Sequence, residues 1–208
     1  MRLKLVPWWL WSLIIACVAC QPDYLDREAL NAYLADESNG LSNEMKAGGL
    51  HLKVTYRPTD LLVDQDLGHQ VTDMQKVHEY RHRYEDYIYF VLNLEANGRD
   101  VLYGTSINQQ DFGEKLQTLS FRMGEYVELT TALGDTIPVA DYIYHRNFGI
   151  EGSSALLFVF HKEKIAGQPW VSFDLKEFGL GIGTRRFRFQ TDDLERAPKL
   201  KFDTEQNT

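Results

Sequence analysis

The stretch Tyr87-Ile88-Tyr89-Phe90-Val91-Leu92-Asn93-Leu94 constrains the fold more than any other part of the chain. It is nearly continuous in apolar residues, and a run of that length and composition reads as a central strand. Asn97-Gly98 follows it and marks a hairpin leading into Val101-Leu102-Tyr103. Leu50, Leu52, Val54 and Tyr56 alternate with His51, Lys53 and Thr55, the period of a strand wet on one side, and Pro58 ends it. Further strands are expected at 126–131, 139–144, 155–161, 170–175, 186–190 and 199–202. Two helices interrupt the series. One is expected over 73–84 behind a Thr72/Gln75 capping box. The other is expected over 112–121, with Asp111 and Glu114 as caps and Phe112, Leu116 and Leu119 on one face. Strands without regular crossover helices predict an α+β fold, mainly antiparallel. We expect a sandwich or curved sheet with two or three short helices.

The 208 residues suit one domain, and 44% hydrophobic with 25% charged residues excludes a wholly disordered chain. A net charge of −8 argues against nucleic acid as a partner, because such binding relies on cations that displace phosphate counterions. Two cysteines cannot make a disulfide-dense scaffold.

Both cysteines sit at the end of an unusual N-terminus. Arg2 and Lys4 precede an uncharged run from Leu5 to Cys20, and Asp23 is the first acid. That run is short of the roughly 20 residues needed to span a bilayer, and it suits a secretory signal. Its end resembles a bacterial lipoprotein signal, in which a lipobox precedes a cysteine that is acylated with diacylglycerol and palmitate. Ile14-Ile15-Ala16-Cys17 fits the usual lipobox residue types, whereas Cys17-Val18-Ala19-Cys20 places the cut where polarity begins. The second register leaves no stray thiol in an oxidising compartment. Lipid attachment is therefore expected at Cys20, with Cys17 as the alternative. The chain divides accordingly into a signal at 1–19, a tether with one short helix at 20–49, and a β-rich domain at 50–208. By the sorting rule of enteric lipoproteins, Gln21 after the acylated residue implies the outer membrane.

His78-Glu79-Tyr80-Arg81-His82 reads H-E-x-x-H, in which two histidines four apart can hold zinc while the glutamate deprotonates its water. The context argues against it. Glu85 and Ile88 stand where the metzincin extension has Gly and His, and Arg81 and Arg83 add charge beside the motif. At 100° per residue, Met74, Val77, Tyr80 and Tyr84 form the apolar stripe, which turns His78, Glu79 and His82 toward water. Gly149-Ile150-Glu151-Gly152-Ser153-Ser154 is no nucleophile elbow. Gly179-Leu180-Gly181-Ile182-Gly183 lacks the context of a dinucleotide loop and reads as a turn or bend between strands. Asp135, Asp141 and Glu151 fit no calcium loop. No cofactor is implied.

Two surfaces are candidates for binding. Tyr87 and Tyr89 share one strand face, as do Tyr142 and Tyr144, and adjacent strands would make a four-phenol platform for sugar or peptide. Arg185, Arg186, Arg188, Arg196, Lys199 and Lys201 collect near the C-terminus. Arg186, Arg188, Lys199 and Lys201 alternate with apolar residues, so two strands side by side would present a cationic strip to lipid phosphate or an acidic partner.

Several segments together resemble uncharacterised lipoproteins of the Bacteroidota type. They are Cys20-Gln21-Pro22-Asp23, a helix ending in Asn39-Gly40-Leu41, Val54-Thr55-Tyr56-Arg57-Pro58-Thr59-Asp60-Leu61-Leu62, and Tyr87-Ile88-Tyr89-Phe90. The resemblance implies a binding or structural role at the cell envelope and assigns no residue. The expectation is thus a lipid-anchored envelope protein whose partner is another envelope protein or anionic lipid. The alternative is a zinc metallopeptidase working through Glu79, His78 and His82.

Overall fold

The computed structural model describes residues 24–69, 73–145 and 152–203. The signal segment, Cys17, Cys20, Thr72 and Glu151 lie outside the described residues. The first elements are β1 (Tyr24–Leu25), α1 (Arg27–Ala35), β2 (Ser42–Ala47), β3 (Leu50–Tyr56), α2 (Thr59–Asp66) and α3 (Met74–Tyr84). Next come β4 (Tyr87–Ala96), β5 (Arg99–Asp100), α4 (Val101–Thr105), α5 (Gln109–Phe121), β6 (Val127–Thr131) and β7 (Thr136–Pro138). The chain continues through β8 (Asp141–His145), β9 (Ser154–His161), β10 (Trp170–Leu175), β11 (Arg185–Gln190), α6 (Thr191–Glu195) and β12 (Lys199–Leu200). The fold is α+β and mainly antiparallel. One sheet runs β2-β3-β4-β9-β8 with β5 beside β4, a second runs β11-β10-β6-β7, and β1 pairs with β12 in parallel.

The continuous apolar run becomes β4, at the centre of the larger sheet. Its even-numbered residues Ile88, Phe90, Leu92 and Leu94 enter the main core. Its odd-numbered Tyr87, Tyr89 and Val91 pack with Leu62, Tyr84, Leu157 and Val159 under α2 and α3. Both faces are therefore apolar, which is why alternation is lost. The two sheets meet through aromatic rings. Phe90 lies 5.9 Å from Phe173 of β10 and 5.0 Å from Phe189 of β11, and Phe158 of β9 lies 5.5 Å from Phe173. Each such ring, fully buried, stabilises the fold by ~1.5–3 kcal/mol.

Where structure and expectation differ, the causes are local. Residues 24–49 are no tether from Tyr24 onward. Leu30, Leu34 and Leu41 are in the main core, and β2 pairs with β3 along its whole length. Asp26 caps α1 by accepting the N–H of Ala29 at 2.8 Å. A helix, α4, stands where a strand was expected at 101–103. Asp100 accepts the Leu102 N–H at 2.9 Å and the Ser154 hydroxyl at 2.6 Å, so a buried cap turns the chain out of the hairpin. For α3 the cap is Asp73, which accepts from Gln75 N–H at 2.9 Å. For α5 it is Asn108, three residues earlier than the Asp111 expectation, accepting from Asp111 N–H. The helix α2 was not expected at all, because Leu61 faces the main core and Leu62 the second cluster, leaving no wet stripe.

Leu30→Ala should cost about 2–5 kcal/mol in denaturant unfolding, as for a core leucine, whereas a tether residue would cost nothing measurable. Gly104→Ala is expected to cost roughly 1–3 kcal/mol, because its Cβ would lie 2.4 Å from the Ala96 Cβ and 2.5 Å from the Ala96 carbonyl oxygen.

Candidate functional site

The helix α3 carries the H-E-x-x-H segment with Val77 fully buried and His78, Glu79 and His82 exposed. Glu79 accepts from Arg83 Nη2 at 2.7 Å, and His82 Nδ1 lies 2.5 Å from Glu85 Oε1. No cluster of three His, Cys, Asp or Glu side chains that could hold a metal ion occurs among the described residues. The residue of the motif that reaches the interior is Arg81. Its Nε donates to Asp60 Oδ1 at 2.7 Å and its Nη2 to Asp60 Oδ2 at 2.8 Å, a bidentate pair. The Leu200 N–H also donates to Asp60 Oδ2, at 3.1 Å, and the Arg81 guanidinium sits 5.5 Å from the Phe202 ring centre.

One turn further along α2, Asp64 repeats the arrangement. Arg27 of α1 donates to it through Nε at 2.6 Å and Nη2 at 2.8 Å, and His69 Nδ1 lies 2.7 Å away. Burial pushes the Asp64 carboxyl upward, but the hydrogen bonds and charges of Arg27 and His69 outweigh it and hold it below the ordinary aspartate range. Asp60 and Asp64, both buried, thus fasten α3, β12 and α1 to one short helix.

Beside the Asp60–Arg81 pair lies a cleft of about 510 Å³. Tyr56 at the end of β3 and Pro58 before α2 line it, with Arg81 of α3 and Glu85 just after it, Lys162 after β9, and the α6–β12 segment bearing Glu195 and Lys199. Burial, reinforced by the Asp60 charge, pushes the Tyr56 hydroxyl up to about 12, so this phenol stays neutral at any physiological pH. Lys162, Glu195 and Lys199 are exposed and form no ion pair among the described residues.

The four-phenol platform does not form. β9 separates β4 from β8. Tyr142 points to the core side, stacks on Phe158 at 5.6 Å and accepts the Met123 N–H at 3.1 Å, and Tyr144 packs on the same core. Tyr87 and Tyr89 instead border a groove of about 420 Å³ on the opposite face, with Tyr84, Ile143 and Val159. The Tyr84 hydroxyl donates to Asp66, and burial together with that bond pushes it up to about 12.

Nor do the four basic residues form one strip. β11 is the edge strand beside β10, while β12 pairs with β1, because α6 turns the chain between them. Arg186 Nε lies 3.4 Å from Asp174 and the Arg188 guanidinium 4.0 Å from the Trp170 ring centre, so both are engaged within their own sheet. Lys199 and Lys201 stand apart from them, opposite and beside Tyr24 and Leu25. Of the turn or bend expected, the glycine-rich segment forms a bend, and a specialised one. Glu177 accepts the N–H groups of Gly179, Leu180, Gly181 and Gly183 at 2.6–2.9 Å, which outweighs burial and holds its carboxyl below the ordinary range.

No family model matches the chain, and no curated protein matches it. A solved structure described as a novel protein of unknown function from Burkholderia pseudomallei is similar over 84% of this chain and 94% of its own, at 13% identity and a TM-score of 0.39.

Since the folded-state Asp64 pKa is depressed, its contribution to stability is complete above the unfolded value near ~4 and is lost as pH falls through the folded one. The stability gap between the wild type and Asp64→Asn should accordingly be present at neutral pH and close as pH falls below ~4, measured by urea unfolding at stepped pH. A gap that persists unchanged into acid would show that the Arg27–Asp64–His69 charges contribute nothing.

Proposed function

We propose that this chain is a lipid-anchored protein of the cell envelope, held in the outer membrane through Cys20, whose domain lies against the bilayer and binds there. The observation that carries this reading is the place of Tyr24 in the fold. β1 starts at Tyr24, four residues past Cys20, and an extended chain gains at most ~3.6 Å per residue. An anchor at Cys20 would thus hold the β1–β12 edge within roughly 14 Å of the lipid. Acyl chains add about 0.8 kcal/mol per buried CH₂, and more than one chain makes such attachment stable. No helix of the described residues is long and apolar enough to cross a membrane.

The Lys199-bearing edge, which pairs with Tyr24, is also one wall of the 510 Å³ cleft. That juxtaposition supports a binding role at the membrane surface more directly than the groove beside Tyr87, where Asp66 is already held by Tyr84 and Arg83 by Glu79.

In cells given labelled palmitate, Cys20→Ala should abolish incorporation and leave a larger, unprocessed precursor. Labelling that survives in Cys20→Ala and disappears in Cys17→Ala would move the anchor to Cys17. Labelling that survives both changes would overturn the anchored reading.

A further inference from the structure

The cleft at the β1–β12 edge has a charge pattern that narrows its ligand. Arg81 commits Nε and Nη2 to Asp60, so that pair is internally neutral, and its Nη1 meets no protein acceptor among the described residues. The rim then carries Lys162 and Lys199 on one hand and Glu85 and Glu195 on the other. Three of these four make no ion pair among the described residues, and the fourth, Glu85, is held only by the exposed His82. Two cations and two anions that line one concavity without pairing to each other complement a ligand that itself carries both full charges. A simple anion would be drawn by the lysines and repelled by the carboxylates, and a simple cation the reverse. Tyr56, Pro58, Leu194 and Ala197 supply apolar wall between the charges, enough to cover a short methylene bridge.

We propose that this cleft receives the zwitterionic headgroup of an aminophospholipid, with the phosphodiester at Lys162, Lys199 and the free edge of Arg81, and the primary ammonium at Glu85 and Glu195. The proposal rests on the anchored reading for one thing only, the delivery of the cleft to a lipid surface. A primary ammonium is specified over a quaternary one because carboxylates accept its N–H groups, whereas a quaternary ammonium is held by a cage of aromatic faces. Tyr56 is the one aromatic ring among the cleft's described lining residues, so no cage is built. Tyr24, 59% exposed opposite Lys199, adds an aromatic ring at the same edge, where amphipathic rings favour the lipid–water boundary.

The test uses the full chain purified in a sugar-based detergent and titrated with glycerophosphoethanolamine, glycerophosphocholine and glycerol 3-phosphate by calorimetry or by NMR. Glycerophosphoethanolamine should bind the tightest of the three, and Lys199→Glu and Glu195→Lys should each weaken it about tenfold with unchanged thermal midpoints. Each change removes one attraction and adds one repulsion. Glycerol 3-phosphate binding as tightly would make this an anion site and overturn the proposal. So would glycerophosphocholine binding as tightly, or variants that bind like the wild type. The Cys20→Ala chain should bind the soluble headgroup as the wild type does, since no bilayer takes part. Loss of lipid labelling and loss of headgroup binding therefore report on the two readings separately.

Discussion

The carboxylate of Asp60 gathers the elements on which the candidate site depends. It sits in the first turn of α2, where the helix dipole favours an anion, and it is buried. Burying it alone would be prohibitive, so its lone pairs must be met. Arg81 of α3 meets them in a bidentate fork, and the Leu200 N–H supplies a third donor. Those three bonds fix the crossing of α2 and α3 and hold β12 against them. With β12 comes β1, through the parallel pairing of Tyr24 with Lys199 and the 2.7 Å bond from Lys201 N–H to the Leu25 carbonyl. A hydrophobic pair of similar shape at Asp60 and Arg81 could match the stability. It could not give the Leu200 N–H of β12 its acceptor, and it would remove the guanidinium from the cleft.

Much of the sheet was legible because strands obey a short-range rule. Leu50, Leu52 and Val54 point inward at every second residue, and Phe187 and Phe189 do the same in β11. The rule fails where an element is buried on two sides or is held by one polar contact. In α2, Leu61 and Leu62 enter different clusters, so the apolar residues follow no single face. In α4, the helix depends on Asp100, whose partner Ser154 lies 54 residues away, and no local pattern can report that contact. β2 reads as polar because it is an edge strand whose side chains, Ser42 apart, are half-exposed or exposed, and its position comes from pairing with β3.

The site was less legible than the fold, and for a related reason. In the segment His78–His82 the eye goes to the two histidines and the glutamate, which face solvent. Arg81, noted only as a charge out of place beside a zinc motif, is the residue that reaches a buried partner. Its signal was present in the acids at Asp60 and Asp64, one turn apart on a segment otherwise apolar at Leu61, Leu62 and Val63. Carboxylates spaced like that among core residues need cationic partners from elsewhere, and Arg81 and Arg27 supply them. The basic residues of the C-terminal region failed in the opposite direction. Alternation correctly turned Arg186, Arg188 and Lys199 outward, but which strands lie side by side is set by α6, a turn of helix that the pattern does not show.

Charge on a protein of this kind is better judged by address than by sum. A net of −8 would repel an anionic surface taken as a whole, yet at physiological salt fields fade over about 8 Å. Only groups within that distance of the surface count. On the proposed anchoring at Cys20, the short path to Tyr24 selects the edge where Lys199 and Lys201 alternate with buried Leu200. It leaves out Arg186 and Arg188, whose charge is spent on Asp174 and on the face of Trp170. At the selected edge the cleft is lined by the acids Glu85 and Glu195 as well as by Lys162 and Lys199, so the local field is mixed in sign rather than a positive patch. Such a field exerts little pull on an anionic bilayer at a distance. It discriminates only at contact, between headgroups that carry both charges and those that carry one. A domain brought to the membrane by covalent lipid has no need of long-range attraction, and its surface charges are free to serve selection instead.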